Sequence, residues 1–173
     1  MSAEFVQSLF AYHYGRFGQV WDSIMTLSDA QFLQDVPYSL GSLRNHMVHL
    51  VNDDAKWIAL VAGRDEPQLI AQGDYQSREA TRQLFDTHAT ANLISVKTIT
   101  DEMLDDAFIW HPHFLPKPQQ IRIRQALVHI VNHGTDHRGQ ILRILHDFGA
   151  PTFDQDLMGY LIQTGETALD DKN

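Results

Sequence analysis

The sequence predicts an all-α fold: an antiparallel four-helix bundle with an additional short C-terminal helix. Three observations carry that expectation. Four long stretches place apolar residues at three- and four-residue spacings. Prolines fall at the junctions between those stretches. No internal repeat or low-complexity tract interrupts them. The chain of 173 residues is one domain's worth and long enough to bury a sizeable core, so residues 1–173 are read as a single helical domain.

The first helix is expected from about Glu4 to Leu27, on Phe5, Leu9, Phe10, Phe17, Val20, Trp21, Ile24 and Leu27. Gly15 and Gly18 lower its propensity and are read as points of close approach by a neighbouring helix. Ser28 or Asp29 caps a short turn, DAQFLQ, and Pro37 breaks the chain. Ser39 or Ser42 is the N-cap of a second helix running to about Ala62, with Leu43, Met47, Leu50, Trp57, Ile58 and Val61 as its stripe and Gly63 as its stop. After the polar loop RDEPQLIAQGDYQ, a third helix starts near Ser77 and carries Leu84, Phe85, Ala91, Leu93, Ile94, Val96 and Ile99 toward Met103 and Leu104. FIWHPHFLPKPQQ holds three prolines and is a connection whose start, Phe108 to Trp110, has extended character. A fourth helix is expected from about Pro118 to His146, ended by Phe148-Gly149-Ala150-Pro151. A short helix from Asp154 to about Gln163 and a polar tail follow.

Composition narrows the function classes. Apolar residues at 43% and charged residues at 20% are a globular balance. With 13 basic against 22 acidic residues and a net charge of −9, a broad phosphate-binding surface is not expected, and no nucleic-acid partner is assigned. Arg122, Arg124, Arg138 and Arg143 are read as solvated or ion-paired. No apolar run approaches the ~18 residues of a membrane span, and the N-terminal stretch lacks a signal-peptide pattern. Cysteine is absent, which excludes disulfides, thiolate metal sites and a cysteine nucleophile. These features fit a cytoplasmic protein without a membrane partner.

The ten histidines are the unusual feature. In ALVHIVNHGTDHRGQ, His133 and His137 are four apart, which on a helix puts both side chains on one face, where two imidazoles can reach one ion. His129–His133 is an equally spaced pair, and the outer two are too far apart to serve one ion together. A third ligand must come from another helix; NHMVHL offers His46 and His49, and His49 lies within an apolar stretch. His13, His88 and His146, taken singly, are read as hydrogen-bonded core residues. Gly134 after His133 excludes the His-Glu-x-x-His metalloprotease pattern, and no GxSxG or phosphate-loop motif appears. His111 and His113 flank Pro112 in a loop and are read as solvated, with the lining of a pocket mouth as the alternative; Asp101-Glu102 and Asp105-Asp106 form a solvated helix end, and Trp21 and Trp57 are read as core.

NHGTDHRGQ (132–140) resembles the signature of the DinB-like superfamily of metal-binding four-helix proteins. SLRNHMVHLVNDDAKW (42–57) resembles its second-helix block, with His49, Asp54 and Trp57 in the places of a histidine, an acid and a tryptophan. YGRFGQVW (14–21) and GAPTFDQDLMGY (149–160) resemble the family's first helix and its close. The resemblance implies a metal triad of His49, His133 and His137, with His129 as a neighbour. It departs at Asp136, where many relatives carry an aromatic residue or another histidine, and at Gly15 and Gly18, where larger residues are expected. Three neutral ligands with an open fourth position form a catalytic layout for a divalent ion, zinc or nickel first, then iron, manganese or copper. Some members of the superfamily are thiol-dependent S-transferases or hydrolases. The resemblance therefore implies a metal-dependent enzyme on a small-molecule substrate, with a low-molecular-weight thiol as possible cosubstrate, and a homodimer. The alternative is a non-catalytic metal- or ligand-binding stress protein. No general base stands out; Asp53, Asp54 and Asp136 are the nearby acids and are read as structural or solvated.

Overall fold

The computed structural model describes residues 1–112 and 114–167. Four long helices form the body: α1 (Ala3–Ile24), α3 (Leu43–Val61), α4 (Arg78–Val96) and α5 (Ile123–Asp147). Two short helices, α2 (Asp29–Leu33) and α6 (Leu157–Thr164), and an antiparallel hairpin of β1 (Ala107–Trp110) and β2 (Gln119–Arg122) complete it.

Each helix begins where a side chain satisfies an orphan N–H group. Ser2, Ser42 and Ser77 accept from Phe5, Asn45 and Ala80, and Asp156 accepts from Gly159. Ser28, not Asp29, is the cap of α2, in a reciprocal box with Gln31.

α1 packs against α4 and α5, and α3 packs against the same two helices, so α1 faces α3 across the core. The backbone of Ala3 bonds Asp101 beyond the end of α4, while Arg78 at the start of α4 bonds Met25 and Leu27 beyond the end of α1, so these helices are antiparallel. The contacts His46–His137 and Trp57–His129 make α3 and α5 antiparallel too. The links from α1 to α3 and from α4 to α5 span the bundle diagonally and are accordingly long; α2 occupies the first, the hairpin the second. The core between the helices holds Phe10, Phe17, Trp21, Met47, Leu50, Leu127 and Ile141, all fully buried.

Several boundaries differ from the sequence expectation. α4 stops at Val96 rather than near Leu104: Thr98 and Ile99 bond Ser95 and Val96 in tighter turns, and residues 102–105 form a separate 3₁₀ turn. Ala91 and Ile94, assigned to its apolar stripe, face solvent. α5 begins at Ile123, five residues later than expected, because residues 119–122 pair with the extended segment Ala107–Trp110. The Arg122 N–H bonds Gln125 Oε1 at 2.9 Å, so the strand's last residue also caps the helix. α6 begins at Leu157 rather than Asp154. Gly15 does receive a close neighbour, but it is the Tyr160 ring on α6, 3.2 Å from where a Cβ would stand; Gly18 faces open space.

Candidate metal centre

α3 and α5 bring three imidazoles to one point. His49 Nε2 lies 3.3 Å from His133 Nε2, which lies 3.1 Å from His137 Nε2. One ligand atom from each of the three falls within 4.8 Å of the others. Two nitrogens bound at about 2.0–2.1 Å to one tetrahedral ion stand roughly 3.3 Å apart, so the observed separations fit a shared ion. The chemistry of the donors fits as well. Burial, then the neighbouring imidazoles His133, His49 and His46, lower the His137 pKa to about 4, and burial lowers that of His133, so both offer neutral lone pairs at neutral pH. These three residues could hold a metal ion.

His46, left unassigned by spacing alone, completes the arrangement from behind. Its Nδ1 is 3.1 Å from His137 Nδ1, and it is fully buried. If His137 presents the Nε2 lone pair to an ion, its Nδ1–H donates to His46 Nδ1, and His46 carries its own proton on Nε2. That Nε2 is buried and has no hydrogen-bond partner among the described residues. Burial, then the nearby His49, lowers the His46 pKa to about 4.

These depressed histidines make a pH prediction. The unfolded chain takes up their protons near pH 6.5, while the folded chain resists until about pH 4. Between those values the unfolded state binds more protons, so stability must rise with pH. Chelator-treated protein is expected to melt at progressively lower temperature as pH falls from 6.5 toward 4. A flat melting temperature across that window would contradict the buried, neutral assignment.

Asp53 stands beside the cluster. Its Oδ2 is 3.3 Å from His133 Nε2 and 3.9 Å from His49 Nε2, and its Oδ1 accepts from Lys56 Nζ at 3.1 Å. Burial pushes this carboxyl up, but the Lys56 ammonium and the two histidines outweigh it and hold it below the usual range. Adjoining the cluster is a cavity of about 540 Å³ between α3, the hairpin and α5, lined by Asp53, Trp57, Trp110, His129, His133 and others.

A model of the DinB family matches residues 1–168. The chain belongs to the DinB family. Protein DinB of Bacillus subtilis (strain 168) is 24% identical over 174 residues, spanning 94% of this chain and 96% of that protein. The crystal structure of a DinB-like protein from Bacillus cereus ATCC 10987 matches with a TM-score of 0.67 at 16% identity, over 88% of this chain and 97% of that one. This last likeness concerns the fold.

In this DinB-family chain the other sequence candidates scatter. His129 is exposed on α5, packs edge-on against Trp57 at 4.9 Å, and stays outside the three-histidine cluster. Asp136 is exposed and accepts from Gln140. His111 and His146 are exposed, and His88 is half-buried; the reading of His146 as a core residue is thereby corrected. His113 lies outside the described residues. Asp101 and Asp105 are exposed but bonded, to the Ala3 backbone and to Arg122 and Arg124 respectively.

Asp54 does not face the cluster at all. It is buried against α1, where its Oδ2 is 3.1 Å from His13 Nε2 and accepts from the Tyr14 hydroxyl at 3.0 Å; Asn92 in turn donates to Tyr14. Arg138, read from the sequence as solvated or ion-paired, is fully buried instead. Its guanidinium donates to Tyr12 Oη, Thr135 Oγ1, Gln155 Oε1 and the His13 carbonyl, and lies 3.5 Å from His13 Nδ1. His13 thus links a buried carboxylate to a buried cation, and its expected hydrogen-bonded core placement is what the fold shows.

Gly134 makes room for that link. A Cβ there would stand 2.2 Å from His13 Cε1 and 2.6 Å from His13 Nδ1. Gly134→Ala must displace the His13 ring, with an overpacking cost of about 1–3 kcal/mol. Thermal denaturation should register a clear loss, and a wild-type melting temperature would refute the packing argument.

Proposed function

We propose that this chain is a metal-dependent enzyme acting on a small molecule, of the thiol S-transferase or hydrolase type. The observation that carries the reading is the double role of His133: its Nε2 meets His49 and His137, and its side chain also lines the 540 Å³ cavity. A metal site opening onto a cavity of ligand size is a catalytic layout rather than a closed structural one.

Three imidazoles suit zinc or nickel first, with iron, manganese and copper as further candidates. A divalent ion held there would act as a Lewis acid, polarising a carbonyl or lowering the pKa of an incoming water or thiol. The chain's own residues orient and enclose. His46 fixes the ring of His137 through Nδ1. Asp53, tethered by Lys56, sets a negative charge beside the cluster. Trp57 and Trp110 wall the cavity. With no cysteine in the chain, a thiol nucleophile would arrive as a cosubstrate.

A second reading has its own observation. The cluster joins His49 on α3 to His133 and His137 on α5, so a bound ion would also clip two helices together. Both readings are tested on zinc- and nickel-loaded protein, assayed with small thiols against epoxides and aryl halides, and separately against esters and amides. Turnover that disappears in His133→Ala supports the enzyme. Turnover no different from the variant's, with metal strongly raising the melting temperature, would leave the non-catalytic reading.

A further inference from the structure

We infer that the cavity between α3, the hairpin and α5 is a seat for a flat aromatic small molecule whose polar head reaches the three-histidine cluster, an inference that rests on the metal-enzyme reading above. The volume, about 540 Å³, lies inside the ~300–1,000 Å³ range of small-molecule sites.

The walls are rich in aromatic rings. Trp57 on α3 and Trp110 on β1 pack with ring centroids 4.9 Å apart and planes at 56°, and Phe114 continues from Trp110 at 5.8 Å. Ile121 of β2 and Ala126 of α5 add apolar surface, and Ala126 projects no more than a methyl into the space facing the rings. Aromatic walls reward a ring more than an aliphatic chain, because offset and edge-on ring pairs add to the burial of area. Phe114 is 64% exposed, so the aromatic surface runs outward to the mouth.

Gln120 and Gln125 add polar groups by the hairpin, and the charged groups and the cluster lie on the α3 side. Asp53 and His133 both line the cavity, with Asp53 Oδ2 3.3 Å from His133 Nε2. Lys56 joins them through its 3.1 Å contact with Asp53, and its ammonium lies 5.3 Å from the Trp57 ring centroid. A ligand lying along the tryptophans would therefore meet charge and the cluster at its head, and aromatic rings with the edges of Gln120 and Gln125 along its body.

The test compares 2-naphthohydroxamate with acetohydroxamate on the zinc-loaded protein by calorimetry. The two share a chelating head, and the naphthyl one alone carries a ring system to lie along the tryptophans. The naphthyl compound is expected to bind at least about tenfold more tightly. Trp110→Leu, which keeps apolar bulk but not the ring, should shrink that ratio several-fold while acetohydroxamate affinity stays at the wild-type value. Gln120→Trp, an exposed lining position on β2, should obstruct the naphthyl compound selectively. Equal affinities for the two hydroxamates, or a ratio indifferent to both variants, overturn the cavity's role and leave the metal reading standing. Binding of neither compound overturns both.

Discussion

His133→Ala, purified beside wild type and dialysed against zinc, is expected to emerge without stoichiometric metal. His133 Nε2 stands between the other two imidazoles, 3.3 Å from His49 and 3.1 Å from His137. Its loss leaves one donor on each of two helices and nothing between them. Removing even an outer partner of a metal ligand costs about 10–100-fold in affinity, so a competition titration with a chromophoric chelator should show at least a ~100-fold weaker Kd. His129→Ala is expected to keep its metal, since that side chain is exposed and outside the cluster. Melting the apo forms separates ligand loss from unfolding. Metal retained by His133→Ala, or lost by His129→Ala, would sink the assignment of the three ligands.

The largest stability effect is expected at Asp54. Its side chain accepts from Tyr14 and bonds His13, and the residue is 3% exposed. Asp54→Ala strands the His13 ring and the Tyr14 hydroxyl, and removes the carboxylate that His13 links to the Arg138 guanidinium. Breaking one side of a buried charge pair costs about 3–5 kcal/mol. At about 2–4 °C per kcal/mol for a domain of this size, the melting temperature should fall by roughly 6–20 °C. Asp54→Asn keeps an acceptor oxygen and the shape, so it should fall between. If Asp54→Ala melts with wild type, the network is not holding α1 to α3 and α5.

The four long helices were legible because their apolar stripes are long and their serine caps sit where the stripes begin; Ser42 and Ser77 mark α3 and α4 within a residue. The hairpin was only half legible. Phe108 to Trp110 read as extended, but Gln119 to Arg122 merged into the helix after it, because Ile121 and Ile123 suit either period and the pairing that separates them comes from 9 to 15 residues upstream. At the site, spacing reached His133 and His137 but could not choose between His129 and His137, since i,i+4 pairs look alike along a helix. The choice is made by height along the antiparallel pair: His137 is level with His46 and His49 on α3, and His129 is level with Trp57, further along it. Arg138 was illegible for a different reason. The groups that make its burial tolerable, Tyr12, His13 and Gln155, are supplied by segments far away in the chain, and nothing local distinguishes it from a surface arginine.

One turn of α5 carries two kinds of residue on two faces. His133 and His137 look toward α3, whereas Gly134 and Arg138 look toward α1 and hold the interior together. The histidine face and the supporting face therefore share one short stretch yet are separable by substitution. Exchanging His133 for Asp would leave Gly134 and Arg138 in place and write two histidines and a carboxylate onto the same bundle, the donor set of non-haem ferrous oxygenases. The ligand face is a place to retune metal preference; the supporting face admits no such editing.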